Sequence, residues 1–143
     1  MKFAEIAKEW ESDAKIEVAE LTNVTVNIPL LHNKYYKIYS KERFTYRAME
    51  QELKRLKLDK FEFYAQGPNP ETPPHWKLPP IGKILKSDVP TYVDSDPDVQ
   101  DAVMKLFAQG EKVDYLENIL KMIVNRGYQV KNIIDWERFK SGS

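Results

Sequence analysis

The sequence predicts an all-α chain, mainly four helices with one very long, that oligomerises through its helices. Three observations carry this. Apolar residues recur at spacings of three and four along most of the chain. Residues 17–66 contain no glycine. No series of alternating apolar and polar positions announces a sheet, although a proline-rich connector has room for one short strand.

Phe3, Ile6, Ala7 and Trp10 give a short amphipathic helix, with Glu5, Lys8, Glu9 and Glu11 toward water. Leu21, Val24, Ile28, Leu31, Tyr35 and Ile38 then follow a heptad seam. After a phase shift the seam resumes at Tyr39, Tyr46, Met49, Leu53, Leu56 and Phe63. Pro29 is the one breaker inside this run, and it either kinks the helix or marks a break in its first turns. The strand-prone stretch Val24 to Val26 blurs the helix start. Gly67-Pro68 stops it. A helix over 17–66 would be about 75 Å long, against about 40 Å for a compact globule of this chain length. Its apolar stripe therefore calls for a sharp kink or another chain.

Residues 67–95 form the connector. Six prolines fall between Pro68 and Pro80, around His75-Trp76, and favour an extended path. Ile81, Ile84 and Leu85 argue that it is ordered, and Thr91-Tyr92-Val93 is the strand-prone piece. Asp96-Pro97-Asp98 reads as a helix start. The helix continues through Val99, Val103, Leu106, Phe107, Val113, Leu116, Leu120, Ile123 and Val124, and Arg126-Gly127 is expected to end it. A last short helix spans about Val130 to Phe139. The expectation is one domain over 1–143, with N-terminal helices to residue 66 and C-terminal helices from residue 96.

There is no cysteine, so disulfides and thiolate metal sites are excluded. No apolar run approaches the roughly 18 residues of a membrane span, and Met1 to Glu5 lacks the plan of a secretory signal. A soluble intracellular protein is expected. Net charge is zero, but residues 1–33 hold three Lys and six acids, and residues 61–143 hold ten cations and twelve acids. Residues 34–60 hold nine Lys/Arg against four acids, a local excess of +5.

No active site emerges. His32 and His75 lack partners at ligand spacing, and both read as structural: His32 packed on a helix, His75 in a loop hydrogen bond or stacking contact. Asp94, Asp96, Asp98 and Asp101 lack the glycine and glutamate of a calcium loop, so helix capping explains them better. No catalytic residue, metal or cofactor is expected.

Binding is more legible. Lys34-Tyr35-Tyr36-Lys37, Tyr39, Lys41, Arg43-Phe44, Tyr46-Arg47, Lys54-Arg55, Lys57 and Lys60 interleave cations with aromatics. Cations suit phosphates, and ring faces suit unpaired bases. Tyr35, Tyr39 and Tyr46 fit the seam and are assigned mainly to packing, whereas Tyr36 falls off it and is freer. On composition alone, a strand binder and a plain helical interaction protein both remain open.

Three stretches resemble the UvsY-type recombination mediators of large tailed bacteriophages. They are Leu31-His32-Asn33-Lys34-Tyr35 with the charged helix Glu50 to Tyr64; Leu85-Lys86-Ser87-Asp88-Val89 with Asp96-Pro97-Asp98-Val99; and Leu120 to Asp135 followed by Phe139. The Arg126-Gly127-Tyr128 turn with Lys131 is the most specific piece, and the Pro-rich stretch 68–80 departs from the pattern.

The resemblance implies a ring-like homo-oligomer that binds single-stranded DNA. It helps a RecA-like recombinase (UvsX type) displace single-strand-binding protein, in the cytoplasm of the infected bacterial host. It hydrolyses nothing itself. The resemblance also places the DNA contact near the end of the long helix, at Lys54, Arg55, Lys57 and Lys60, of which Lys54, Lys57 and Lys60 are spaced to share a face. Lys41, Arg43, Arg47 and Tyr36 of the basic segment join them, with Lys86 of the connector. Self-association is expected through Leu21, Val24, Ile28 and Leu31, and through Ile133, Ile134, Trp136 and Phe139, with intramolecular packing as the alternative for each. Two rivals stand: a helical adaptor that oligomerises without DNA, and a regulatory subunit docking through the His75-Trp76 loop.

Overall fold

The computed structural model describes residues 1–142. Among them six α-helices follow in order: α1 (Phe3–Asp13), α2 (Leu21–Val26), α3 (Ile28–Gln66), α4 (Val89–Ser95), α5 (Pro97–Val124) and α6 (Arg126–Lys140). Single 3-10 turns sit at Val18–Glu20 and Lys86–Asp88. No strand occurs among the described residues. The chain forms two compact units, one from residues 1–44 with the stretch from Gly110 onward, the other from Thr45–Gln109.

In the first unit, Ile6 and Trp10 of α1, Tyr35 of α3, and Leu116, Ile119, Leu120 and Ile123 of α5 make the core. Trp10 meets Tyr35 edge-on, ring centres 5.4 Å apart. Ile28, Leu31 and Ile38 pack against this cluster. The heptad seam is thus used in part inside the chain, where Ile28 and Leu31 are half-buried. Each such side chain contributes about 1.5–3 kcal/mol when buried, and α1 and α5 supply the partner surface that sequence spacing alone left open. Leu21 and Val24 are half-buried on α2, which packs against α6.

The long helix is shorter than expected. Asn27 (φ −86°, ψ −5°) separates α2 from α3, and its carbonyl accepts from the Leu31 N–H at 2.9 Å. Pro29 then lies in the first turn of α3, where its missing N–H has no intrahelical role. So Pro29 marks a start, and Val24 to Val26 are helical. Gly67, at φ 86°, stops α3 as expected.

The end of α5 departs from expectation. Gly127 lies inside α6 and is absent from the positive-φ glycines. Asn125 makes the junction instead (φ −80°, ψ −5°). Arg126 is a buried first residue of α6. Its guanidinium donates to the Ala14 carbonyl at 3.5 Å and to that of Lys15 at 3.0 Å, covering carbonyls at the open end of α1.

In the second unit, Ile84, Val89, Val93 and Val99 form a small core, with Leu53, Leu56, Tyr64 and Tyr92 against it. The strand-prone Thr91-Tyr92-Val93 is therefore α4. Val89, Tyr92 and Val93 sit three and four apart and bury one helical face, whereas a lone strand would leave its backbone unpaired. Trp76 holds the proline-rich connector down, its ring 5.5 Å from Phe63. No helix among the described residues is long and apolar enough to cross a membrane.

Candidate nucleic-acid interface

In the second unit, Lys54 and Arg55 are exposed and Lys57 is half-buried on α3. None of the three has an ion pair or hydrogen bond among the described residues. Arg47 is exposed and pairs loosely with Glu50 at 3.6 Å. Arg47, Lys54, Leu58 and Phe61 follow spacings of seven, four and three, so they form one stripe of the helix. Leu58 and Phe61 are exposed within it. The stripe thus runs from two cations into exposed apolar surface.

Lys60 does not belong to this surface. It is 2% exposed. Its Nζ lies 3.0 Å from Asp96 Oδ2 and 2.9 Å from Asp98 Oδ2, and 3.8 Å from the centre of the Trp76 ring. Tyr64 Oη donates to the same Asp96 oxygen at 2.6 Å. Asp96 Oδ1 accepts the N–H groups of Asp98 (2.8 Å) and Val99 (3.2 Å), the expected helix cap. Burial pushes the Asp96 carboxyl up, but Tyr64, Lys60 and the cap outweigh it and hold it below the usual aspartate range. The Lys60 ammonium likewise holds Asp98 down. Burial, then the bond to Asp96, raises the Tyr64 phenol. Lys60 is a structural ion pair, and the three-residue spacing that grouped it with Lys54 and Lys57 had no means of showing the distant acids at the start of α5.

His75 Nε2 lies 3.0 Å from Asp98 Oδ2 and the ring meets Trp76 edge-on, the loop role expected of it. His32 stacks on Tyr36. No group of His, Asp or Glu able to hold a metal occurs among the described residues. Lys86 is exposed in its 3-10 turn.

In the first unit, Lys34 is engaged, 2.6 Å from both Glu9 and Asp13 of α1. Burial opposes its charge, but those two carboxylates win and raise its pKa. Tyr35 is fully buried and donates to Asp13 at 2.8 Å. Tyr36 is 45% exposed. Lys41 and Arg43 are exposed, and the Arg43 guanidinium lies 4.9 Å from the centre of the Tyr39 ring.

A family model described as "Recombination, repair and ssDNA binding protein UvsY" matches residues 9–143. This chain belongs to the UvsY family. Three crystal structures of the bacteriophage T4 recombination mediator protein UvsY share the UvsY fold with it. One superposes with a TM-score of 0.82 at 19% identity, covering 97% of this chain and 99% of the T4 chain. A second gives 0.82 at 20%, covering 99% and 98%. A third gives 0.79 at 22%, covering 95% and 98%. No curated protein sequence matches.

Within this UvsY chain, α6 carries the most exposed aromatic pair. Trp136 and Phe139 stack on each other at 5.6 Å, 57% and 73% exposed. Ile134 is exposed beside them, and Ile133 is half-buried. The C-terminal part of the expected self-association set is therefore more exposed than Ile28 and Leu31, which are half-buried. Two participants carry no signal in the sequence. Trp76, the cap on Lys60, reads there only as a loop residue. Lys121 of α5 lies beside Tyr36, Tyr39 and Arg43 in one groove, and nothing local in α5 marks it, since its neighbours there come from α3.

Proposed function

We propose that this chain is a recombination mediator that binds single-stranded DNA. It helps a RecA-like recombinase of the UvsX type nucleate on strand covered by single-strand-binding protein, in the cytoplasm of an infected bacterium. The family match over nearly the whole chain carries the reading. The exposed or half-exposed cations Lys54, Arg55 and Lys57 fit it, with Arg47 on the adjoining stripe. Lys41, Arg43, Tyr36 and Lys86 are further contacts in the proposal; Lys60 is not.

The mechanism follows from charge and multiplicity. One subunit offers only a few cations, and a few phosphate contacts give weak binding at physiological salt. Self-association into a closed ring, with Ile134, Trp136 and Phe139 of α6 at the contact, repeats the patch. A strand then meets many copies at once, and the linked contacts gain avidity. A strand held along such a ring is presented to the recombinase while its competitor is displaced. The chain itself performs no reaction in this scheme, and hydrolysis of nucleotide belongs to the recombinase.

The test is a fluorescence-anisotropy titration of a labelled single strand at several salt concentrations. Wild type is expected to bind with affinity that falls steeply with salt. Removing one cation that neutralises a phosphate should flatten the log–log slope by about 0.7. Lys54/Arg55/Lys57→Ala should therefore bind more weakly, with a shallower slope, at unchanged oligomeric state. Absence of binding by wild type at low salt would leave the helical adaptor as the function.

A further inference from the structure

One face of α3 in the first unit carries a run of rings that ends in a cation. His32, Tyr36, Tyr39 and Arg43 follow spacings of four, three and four, and each touches the next. His32 lies nearly parallel to Tyr36, 6.0 Å between centres and 15° between planes. Tyr36 and Tyr39 are also 6.0 Å apart. The Arg43 guanidinium leans over Tyr39, its Nη1 donating to Tyr39 Oη at 3.5 Å. At 1.5 Å per residue the run is about 16 Å long. It opens on a groove of about 580 Å³ whose other wall is the last turns of α5, with Leu120 and Val124 as apolar lining and Lys121 as a second cation.

Tyr39 is half-buried against the core of the first unit, and Tyr36 is the ring that turns to water. Tyr35, one residue from Tyr36, is fully buried and hydrogen-bonded, whereas Tyr36 is 45% exposed and Val124 is 65% exposed. No ion pair engages Arg43 or Lys121 among the described residues. The groove thus offers flat apolar faces, two cations and one carboxylate, Glu117.

We propose that this groove is a base-stacking subsite for single-stranded nucleic acid, separate from the Lys54/Arg55/Lys57 patch. It would hold unpaired bases against the exposed Tyr36 and Val124, with flanking phosphates on Arg43 and Lys121. A free anion alone would not need the rings, and a duplex cannot use them because its base faces are already stacked on each other. Glu117, one turn before Lys121 on α5, offers an acceptor to a base amino group. The inference rests on the proposed strand binding, and it adds that the protein reads the presence of bases as well as phosphates.

The experiment compares an oligothymidylate with an abasic strand of the same length and charge, by anisotropy at fixed salt. Wild type, Tyr36→Ala and Tyr36→Phe are tested, each checked for helix content and oligomeric state. Wild type should prefer the base-bearing strand by at least about fivefold, the low end of one aromatic stack. Tyr36→Ala should lose most of that preference, and Tyr36→Phe should keep it. Equal affinity of wild type for both strands would overturn the stacking subsite while leaving phosphate binding intact. Preference retained in full by Tyr36→Ala would also overturn it, because the bases would then stack elsewhere. Failure of wild type to bind either strand would remove the strand-binding reading and this inference with it.

Discussion

Replacing Lys60 with methionine keeps much of the side chain's volume and removes its charge. Lys60 is 2% exposed and bridges Asp96 and Asp98 beneath Trp76. Removing one member of a buried ion pair typically costs about 3–5 kcal/mol, because the partner charge stays buried. Two features hold the expected cost toward the lower end. The Asp98 side chain is 38% exposed and can turn to water. Asp96 keeps Tyr64 and two backbone N–H donors. Destabilisation of about 3 kcal/mol is therefore expected in urea unfolding, followed by circular dichroism and tryptophan fluorescence at fixed protein concentration. Concentration must be matched because self-association adds to apparent stability. At low salt, where the variant stays folded, its single-strand affinity should equal wild type. Destabilisation below about 1 kcal/mol, or reduced DNA affinity at unchanged stability, would refute the assignment and return Lys60 to the DNA surface.

Three further outcomes are expected. Asp96 and Asp98 are held below their ordinary value of 3.8, so their stabilising effect is present above that pH and is lost as pH falls through the lowered values; the stability gap between wild type and Lys60→Met, followed by thermal melts against pH, should close below about pH 4. A gap that widens in acid would contradict this. Arg126→Met removes two bonds to the carbonyls of Ala14 and Lys15 and should lower stability by about 1–3 kcal/mol in urea unfolding; an unchanged midpoint would mean water replaces it. Trp136→Ser with Phe139→Ser should yield a smaller species by sedimentation with helix content unchanged, and an unaltered assembly would remove α6 from the self-association surface.

The all-α class, the stop at Gly67 and the Asp96 cap were legible because each is written in neighbouring residues. The seam through Ile28, Leu31, Tyr35 and Ile38 was also legible as a stripe, but a stripe does not name its partner. Here α1 and α5 take it up within the chain. The same limit governs the cations. Lys54 and Lys60 look alike along the helix, and what separates them is acids on the start of α5. Tyr36 and Tyr35 could be told apart because one falls off the seam and the other on it. Thr91-Tyr92-Val93 misled because strand preference is weak beside the gain from burying Val89 and Val93 on one helical face. Gly127 misled because a glycine after a basic residue resembles a cap, whereas Asn125 makes the junction in right-handed geometry and the helix resumes at once.

Mediation is tested most directly by strand-dependent ATP hydrolysis of a RecA-like recombinase of the UvsX type on DNA already coated with single-strand-binding protein. This chain is expected to shorten the lag before steady hydrolysis, and Lys54/Arg55/Lys57→Ala, folded and assembled, to do so poorly. A lag that wild type leaves unchanged, under conditions where it binds the bare strand, would contradict the account.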